Sequence, residues 1–393
     1  MRTRGGGRAF MTATQTRSVS LYIHVPFCRA RCLYCAFPAR PAGPSTQTQY
    51  VECLCGEMEK YFESAPDARV DTVYVGGGTP STLGIGDLEL LLAAVRQLAP
   101  DASEITMEVN PHPDDLPKIP ILLENGVNRL SIGVQSFNDE ELSLAGRLHD
   151  SEDTRQFIKA CRECGCSNMS FDLMQGLPGQ DIESFRSSLE EATGFEPEHI
   201  SLYSLTVESE SRLGRLPERQ FRTLNLPDGD DQARMYDLAR QMLRAAGYEQ
   251  YEISNFSKPG YRCRHNMVYW SSGEYVGFGP SATSYVGGAR FRRISNVDGY
   301  LEAQAQGKNT IEFMESLCSR RSAAEALVMG LRLSSGIDPK RIETRFGVKL
   351  TDLVGEALEK YRDEGLLVMD DESIRLTEGA YFVSNAIFRE IIK

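Results

Sequence analysis

The sequence predicts an α/β protein: a partial (β/α)6-type barrel built on a parallel sheet, followed by a small, mostly helical, winged-helix-like domain. Three observations predict it. Strand and helix signals alternate from Ser20 to about Tyr251 in six units, which implies parallel strands and right-handed crossovers. Polar or glycine-rich residues collect after each strand, where barrels of this kind carry their active sites. After Tyr251 the pattern changes, and from about Asn296 the chain reads as helical again. At 393 residues the chain exceeds what one core usually organises, so a large unit over 19–290 and a small one over 291–393 are expected.

The elements read in order. "VSLYIHV" (Val19–Val25), "VDTVYVGGG" (Val70–Gly78) and "EITMEVNP" (Glu104–Pro111) are strands, the second ending in glycines and the third at a proline. "VNRLSIGVQSF" (Val127–Phe137), "CSNMSFDLMQGLPG" (Cys166–Gly179) and "HISLYSLTVE" (His199–Glu208) follow the same plan. Between them Gly86–Leu98 and Asp153–Gly165 carry apolar residues at helical spacing, the second stopping at glycine. Beyond Tyr251 the chain is rich in glycine, aromatics and turn residues. "RRSAAEALVMGLRL", "DPKRIETRFG" and "LTDLVGEALEKYRDEG" are then helices, and "LLVMDDESIRLTEGA" reads as two short strands around an acidic turn. Helix, helix, hairpin resembles a winged helix. Asp352, Glu356, Glu359, Asp363 and Glu364 on its second helix would repel phosphate, so a lid or docking role is favoured over nucleic-acid binding.

Composition narrows the function. A net charge of −12 argues against a nucleic-acid partner. No run of about 18 apolar residues is present, so no transmembrane segment is expected, and peripheral membrane contact is left open. Residues 1–18 contain four arginines and no acid, and lack the apolar stretch of a secretory signal. They read as a disordered extension, with Met11 an alternative start and an organelle presequence the other reading. Ten cysteines without an export signal read as reduced thiols, metal ligands or packing residues in a cytoplasmic protein. Cys161, Cys164 and Cys166 are expected to be packing residues.

Cys28, Cys32 and Cys35 are different. They lie within eight residues, right after the first strand, in "CRARCLYC". A structural zinc site wants four ligands, usually as two distant pairs. A redox C-x-x-C pair would leave Cys28 unexplained. A [4Fe–4S] cube is normally held by four thiolates, so three would leave one iron open to a substrate or cofactor. Arg29 and Arg31 between the cysteines argue against a buried apolar role.

C-x3-C-x2-C after an opening strand, followed by "GGGTP", resembles the signature of radical S-adenosylmethionine (radical SAM) enzymes. The resemblance implies a radical SAM barrel with a [4Fe–4S] cluster on Cys28, Cys32 and Cys35 and S-adenosylmethionine on the open iron. "YIHVPFC", "GGGTPS", "EVNP", "GVQSF", "GRLH", "SFDLMQGLPGQ", "YEISNFSKPG", "RHNMVYW" and "GFGPSA", in that order, resemble the oxygen-independent coproporphyrinogen oxidase superfamily. Carried over, Tyr22 would contact the cofactor. Gly77, Gly78 and Thr79 would offer backbone and hydroxyl groups to its methionine end. Glu108, Gln135, Arg147 and Asp172 would form a polar ring, and Ser204 and Thr283 match two further contacts.

The decarboxylating oxidases of that superfamily carry a further cysteine where this chain has Phe37, and a longer N-terminal arm. "HNMVYW" (His265–Trp270) instead resembles the pattern of the superfamily's haem chaperone branch. The resemblance then implies haem binding and delivery to haem proteins, such as those of respiratory chains, with an electron donor serving the cluster. His265 is the expected haem ligand, Cys263 a second one, and Tyr269 and Trp270 could stack on the porphyrin. The blander reading of His265 is a hydrogen-bonding loop cap. The alternative function is the radical decarboxylation of coproporphyrinogen III, with other porphyrin-directed radical chemistry behind it.

Overall fold

Alternation decides which way the strands face. On β1 (Arg17–Val25) Leu21, Ile23 and Val25 are buried on one side, and Tyr22 and His24 point to the other. β2 (Ala68–Gly77) does the same with Val73 and Val75 against Tyr74, and β4 (Arg129–Gln135) with Leu130, Ile132 and Val134 against Ser131. The apolar faces of these strands, of β3 (Glu104–Val109), β5 (Met169–Gln175) and β6 (His199–Ser204) meet helices Pro44–Ser64, Ile85–Leu98, Ser151–Glu163 and Ile182–Gly194 in one core. Burying such faces between helices and a parallel sheet is what favours this architecture.

The structure is a computed structural model that describes residues 16–370 and 372–392. Most of the expected N-terminal extension lies outside the described residues. Arg17 and Ser18, however, already belong to β1. Arg17 N–H donates to the Asp67 carbonyl (3.0 Å) and the Ser18 hydroxyl to Asp71, so pairing with β2 starts before residue 19.

β1 to β6 pair in sequence order, all parallel. The sheet curls: Tyr74 on β2 feels Asp172 on β5 and Tyr203 on β6. Its polar face is therefore concave, and the C-terminal ends of the strands form one rim.

The glycine- and aromatic-rich stretch extends this sheet at both edges. β7 (Glu249–Glu252) and β8 (Asn255–Ser257) join antiparallel beside β6. β9 (Tyr275–Phe278) runs parallel to β1, and β10 (Thr283–Val286), β11 (Ala289–Arg293) and β12 (Ile311–Ser316) continue antiparallel from it. This corrects two expectations. The sheet runs past residue 290 to Ser316, and the chain after Asn296 is helical only over Val297–Ala305 before β12. A buried knot explains the continuation: Glu57 accepts from Arg293 (2.6 Å), Thr310 (2.6 Å) and Tyr300 (2.7 Å), tying β11 and its neighbours to the first helix.

Helices Ser319–Gly330, Pro339–Phe346 and Leu350–Asp363, the hairpin β13 (Leu367–Met369) and β14 (Ile374–Leu376), and helix Ser384–Ile392 complete the fold. Pro339 opens the second of these helices, Asp338 caps it, and Gly347 at φ 67° ends it. Leu327, Ile342, Leu358 and Ile387 join the same core as the sheet. No described helix is long and apolar enough to cross a membrane.

Candidate functional site

The loop after β1 is held from three sides. Cys28 N–H donates to the Arg40 carbonyl (3.2 Å), Leu33 N–H to Ala145 (2.9 Å), and Leu213 N–H to Leu33 (2.8 Å). The three half-buried thiols of Cys28, Cys32 and Cys35 are thereby gathered at the rim. The Thr79 hydroxyl lies 3.5 Å from Cys28 Sγ, and Arg147 Nη1 donates to Cys32 Sγ (3.3 Å). Burial pushes the Cys28 thiol up to about 11 and raises that of Cys35 too, with the other cysteines adding repulsion. Three thiolates here need a cationic centre. Among the described residues no three His, Cys, Asp or Glu side chains are set to hold a single metal ion. Three soft thiol donors suit an iron–sulfur cluster by ligand chemistry, and would leave one iron of a four-iron cube open.

The glycine run packs β2 against this loop. A Cβ on Gly78 would lie 2.4 Å from the Phe27 carbonyl oxygen. On Gly77, at φ +113°, it would lie 2.5 Å from the His24 ring, and on Gly76, 2.8 Å from the Glu108 carboxyl. The N–H donors of Gly77, Gly78 and Thr79 are already used within the fold, so the backbone groups these residues could offer are their carbonyl oxygens. The donors go to Glu108 Oε2 (3.0 Å), the Val25 carbonyl (2.8 Å) and the Phe27 carbonyl (2.7 Å). The Thr79 hydroxyl remains at the site, accepting from Asn110 Nδ2 (2.9 Å).

Glu108 and Asp172 face each other across the concave surface. Glu108 accepts from the Tyr74 hydroxyl (2.9 Å) as well as from Gly77. Burial, reinforced by Asp172, pushes its carboxyl up to about 7. Asp172 accepts from Ser131 at 3.0 and 3.2 Å, and its carboxyl is also raised by burial. Arg147 reaches Asn110 Oδ1 (2.6 Å) and the Gly133 carbonyl (2.8 Å), while its Nε is buried without a partner among the described residues. Gln135 ends β4 at φ 66°, a strained conformation for a residue that is not glycine. Ser204 is exposed at the end of β6 and accepts from Gln175 Nε2 (2.8 Å). Thr283 opens β10, its carbonyl oxygen 2.4 Å from where a Cβ on Gly277 would sit. Tyr22 lies on the same face, its hydroxyl 3.0 Å from His24 Nδ1. His24, Tyr74 and Asn110 complete the site beyond the expected residues. His24 was findable, since it sits two residues past Tyr22 on one strand face.

The structure places His265 inside the fold. Helix Arg264–Trp270 lies against the N-terminal half of β2 and the start of β3, away from the rim. The imidazole is fully buried, with Nδ1 2.9 Å from the Thr72 hydroxyl and Nε2 2.8 Å from the Tyr269 hydroxyl. The His265 backbone N–H donates to Glu104 Oε1 (2.9 Å), and burial lowers the ring to about 3. Both ring nitrogens are thus engaged, so the expected iron ligation is corrected to an internal anchor. Cys263 is buried against Glu104 as well. The Trp270 ring is covered by the Arg332 guanidinium, 4.5 Å from its centroid. Among the remaining cysteines, Cys161 and Cys166 are buried as expected, but Cys164 is exposed.

Comparison with known proteins sets this geometry in a family. The chain is 34% identical to the heme chaperone HemW of Bacillus subtilis over 94% of its own length and 98% of that protein. The chain belongs to the HemW family of radical SAM proteins. The radical SAM superfamily profile matches residues 22–192 and that of the HemN C-terminal domain residues 320–383. HemW of Escherichia coli is 39% identical over 67% of this chain and 69% of its own length. The mitochondrial radical S-adenosyl methionine domain-containing protein 1 of Mus musculus is 35% identical over 91% of this chain and 83% of its own. Coproporphyrinogen III oxidase (HemN) of Escherichia coli, a radical SAM enzyme, superposes with a TM-score of 0.84 at 23% identity, covering 97% of this chain and 91% of that one. The last likeness establishes the fold. Within the HemW family, the rim with its three cysteines belongs to the radical SAM part of the chain, and so does the glycine run.

Proposed function

We propose that the chain is a haem chaperone, binding haem and handing it to haem proteins such as those of respiratory chains. The observation that carries this reading is the near end-to-end match to HemW. Phe37, 65% exposed at the rim where the decarboxylating oxidases carry another cysteine, favours it over their chemistry.

In this reading Cys28, Cys32 and Cys35 hold a [4Fe–4S] cluster, and S-adenosylmethionine takes the open iron. When bound, that pair supplies one-electron cleavage of a sulfonium. Arg147 and the Thr79 hydroxyl steady the cysteine sulfurs they touch. Glu108 and Asp172 are placed to accept hydrogen bonds from the cofactor's amino and ribose groups, with Tyr22 and Gln135 beside them. Ser204 and Thr283 border the site from the two flanks. A one-electron donor serves the cluster. Haem is held away from His265. Ten free cysteines suit a reducing compartment, and we place the chain in the cytoplasm.

The test is an anaerobic one on reconstituted protein, half titrated with haem and half given coproporphyrinogen III, S-adenosylmethionine and a reductant. Haem retained with no vinyl product supports the reading. Vinyl product without haem retention overturns it in favour of the oxidase.

A further inference from the structure

The concave face holds a row of aromatic rings of which only the first, Tyr22, is placed beside the cofactor. Tyr22 and Tyr74 are stacked, 6.3 Å between centroids. Tyr74 lies 5.3 Å from the His265 ring, and His265 lies 5.1 Å from Tyr269. The row leads from the rim down to helix Arg264–Trp270. Each phenol in it meets a group able to take a proton: Tyr22 with His24 Nδ1 (3.0 Å), Tyr74 with Glu108 Oε1 (2.9 Å), Tyr269 with His265 Nε2 (2.8 Å).

The hydrogen-bond network fixes the roles at the far end. The Thr72 hydroxyl donates to Ser20 Oγ (2.8 Å), so His265 Nδ1 is the protonated nitrogen and donates to Thr72. Nε2 is then bare and accepts from Tyr269. Five tyrosines buried elsewhere differ. Tyr50, Tyr236 and Tyr248 donate to backbone carbonyls, which cannot take a proton. Tyr300 donates to Glu57, which is already ion-paired with Arg293. Tyr251 meets His199 Nε2 (2.8 Å), but among the described residues no ring contact joins that pair to the row.

We propose that Tyr22, Tyr74 and Tyr269 form a one-electron relay, each phenol paired with its own proton acceptor. An oxidised phenol is a strong acid, and a half-buried one passes its proton to bulk water only slowly. A fixed base removes that barrier. The proposal rests on the radical SAM reading for its oxidant, a carbon-centred radical released by sulfonium cleavage. Tyr22 gives that radical a hydrogen atom: its O–H bond breaks and a C–H bond forms. The Tyr22 phenoxyl then takes an electron from Tyr74 and a proton from solvent, while the Tyr74 proton moves to Glu108. Tyr74 is refilled by an electron from Tyr269 and by the proton returning from Glu108, and the Tyr269 proton moves to His265. One C–H bond has formed, one solvent proton is consumed, and the phenoxyl sits on Tyr269 beside an imidazolium. The one-electron donor that serves the cluster resets it as the proton returns. Such a relay disposes of a radical that finds no organic substrate.

The test uses the metal-free, full-length chain, without haem or S-adenosylmethionine, so its failure leaves the haem reading untouched. A ruthenium polypyridyl sensitiser with a sacrificial acceptor oxidises the protein in a flash, and electron paramagnetic resonance reads the tyrosyl radical. We expect a neutral radical lasting seconds, its yield cut at least five-fold in Tyr22→Phe/Tyr74→Phe/Tyr269→Phe with unchanged circular dichroism. His265→Gln should abolish the solvent isotope effect on its formation, a readout that a packing role would not move. Equal yield and lifetime in the triple variant overturn the relay. If that variant does not fold, an unchanged signal in Tyr269→Phe alone does so.

Discussion

Replacing His265 with alanine separates two roles for one residue. If it anchors the helix Arg264–Trp270, the loss is structural. The imidazole is fully buried, and its removal strands the Tyr269 hydroxyl and takes one of the Thr72 hydroxyl's two bonds, the one to Ser20 remaining. Losing a partner while buried costs about 1–3 kcal/mol for each group. The emptied volume adds roughly 1–2 kcal/mol on the scale of cavity-forming substitutions. Partial relaxation and water entry reduce the sum, so His265→Ala should cost about 3–5 kcal/mol. Urea denaturation measures this, and absorbance titration of the still-folded variant at low temperature measures haem affinity. The expected outcome is a large fall in midpoint with haem affinity changed less than about three-fold, roughly 0.7 kcal/mol. His265→Gln, which can keep one of the two bonds, should fall between. A ten-fold loss of haem affinity with unchanged stability would refute the reasoning and restore His265 as an iron ligand.

Other outcomes follow from the rim. Glu108 binds a proton more tightly folded than unfolded, so stability falls as pH rises from about 4.5 to about 7 and levels off above. At 1.36 kcal/mol per unit the fall is about 3 kcal/mol, and Glu108→Gln should lack it in urea midpoints taken at pH 5 and 8; parallel profiles would contradict this. Gly78→Ala drives a Cβ into the Phe27 carbonyl at 2.4 Å, so reconstituted protein should hold less than half its iron and sulfide; full loading with an unchanged melt would count against the packing argument. Arg147→Gln removes the positive charge 3.3 Å from Cys32 Sγ and should lower the cluster potential by on the order of tens of millivolts in a redox titration, whereas no shift would mean the contact is lost on loading.

Much of this architecture was legible because β1 to β6 are long enough to show their pattern. Buried strands with glycine or polar ends mark both the sheet and its rim. β7 to β11 escaped because they run three to five residues and are broken by glycines and turns, leaving no period to read. β12 escaped for another reason: "IEFMES" lies on the sheet edge with Phe313 and Met314 exposed, so its side chains do not sort into buried and open faces. At the site, three closely spaced cysteines announce themselves locally. His265 does not, because its partners Thr72 and Glu104 are about 160 to 190 residues away, and only the fold shows that both ring nitrogens are taken. The glycine run was legible as the end of a strand, but not which acceptors would take its N–H groups.

The most direct measurement is haem transfer. Anaerobically reconstituted chain is loaded with haem and mixed with a haem-free acceptor protein, and the absorbance of the acceptor's haem is followed. The account predicts stoichiometric haem on the chain, its movement to the acceptor, and no vinyl product when coproporphyrinogen III is supplied instead. No haem retained at micromolar concentration, with coproporphyrinogen III turned over by the same preparation, would contradict it.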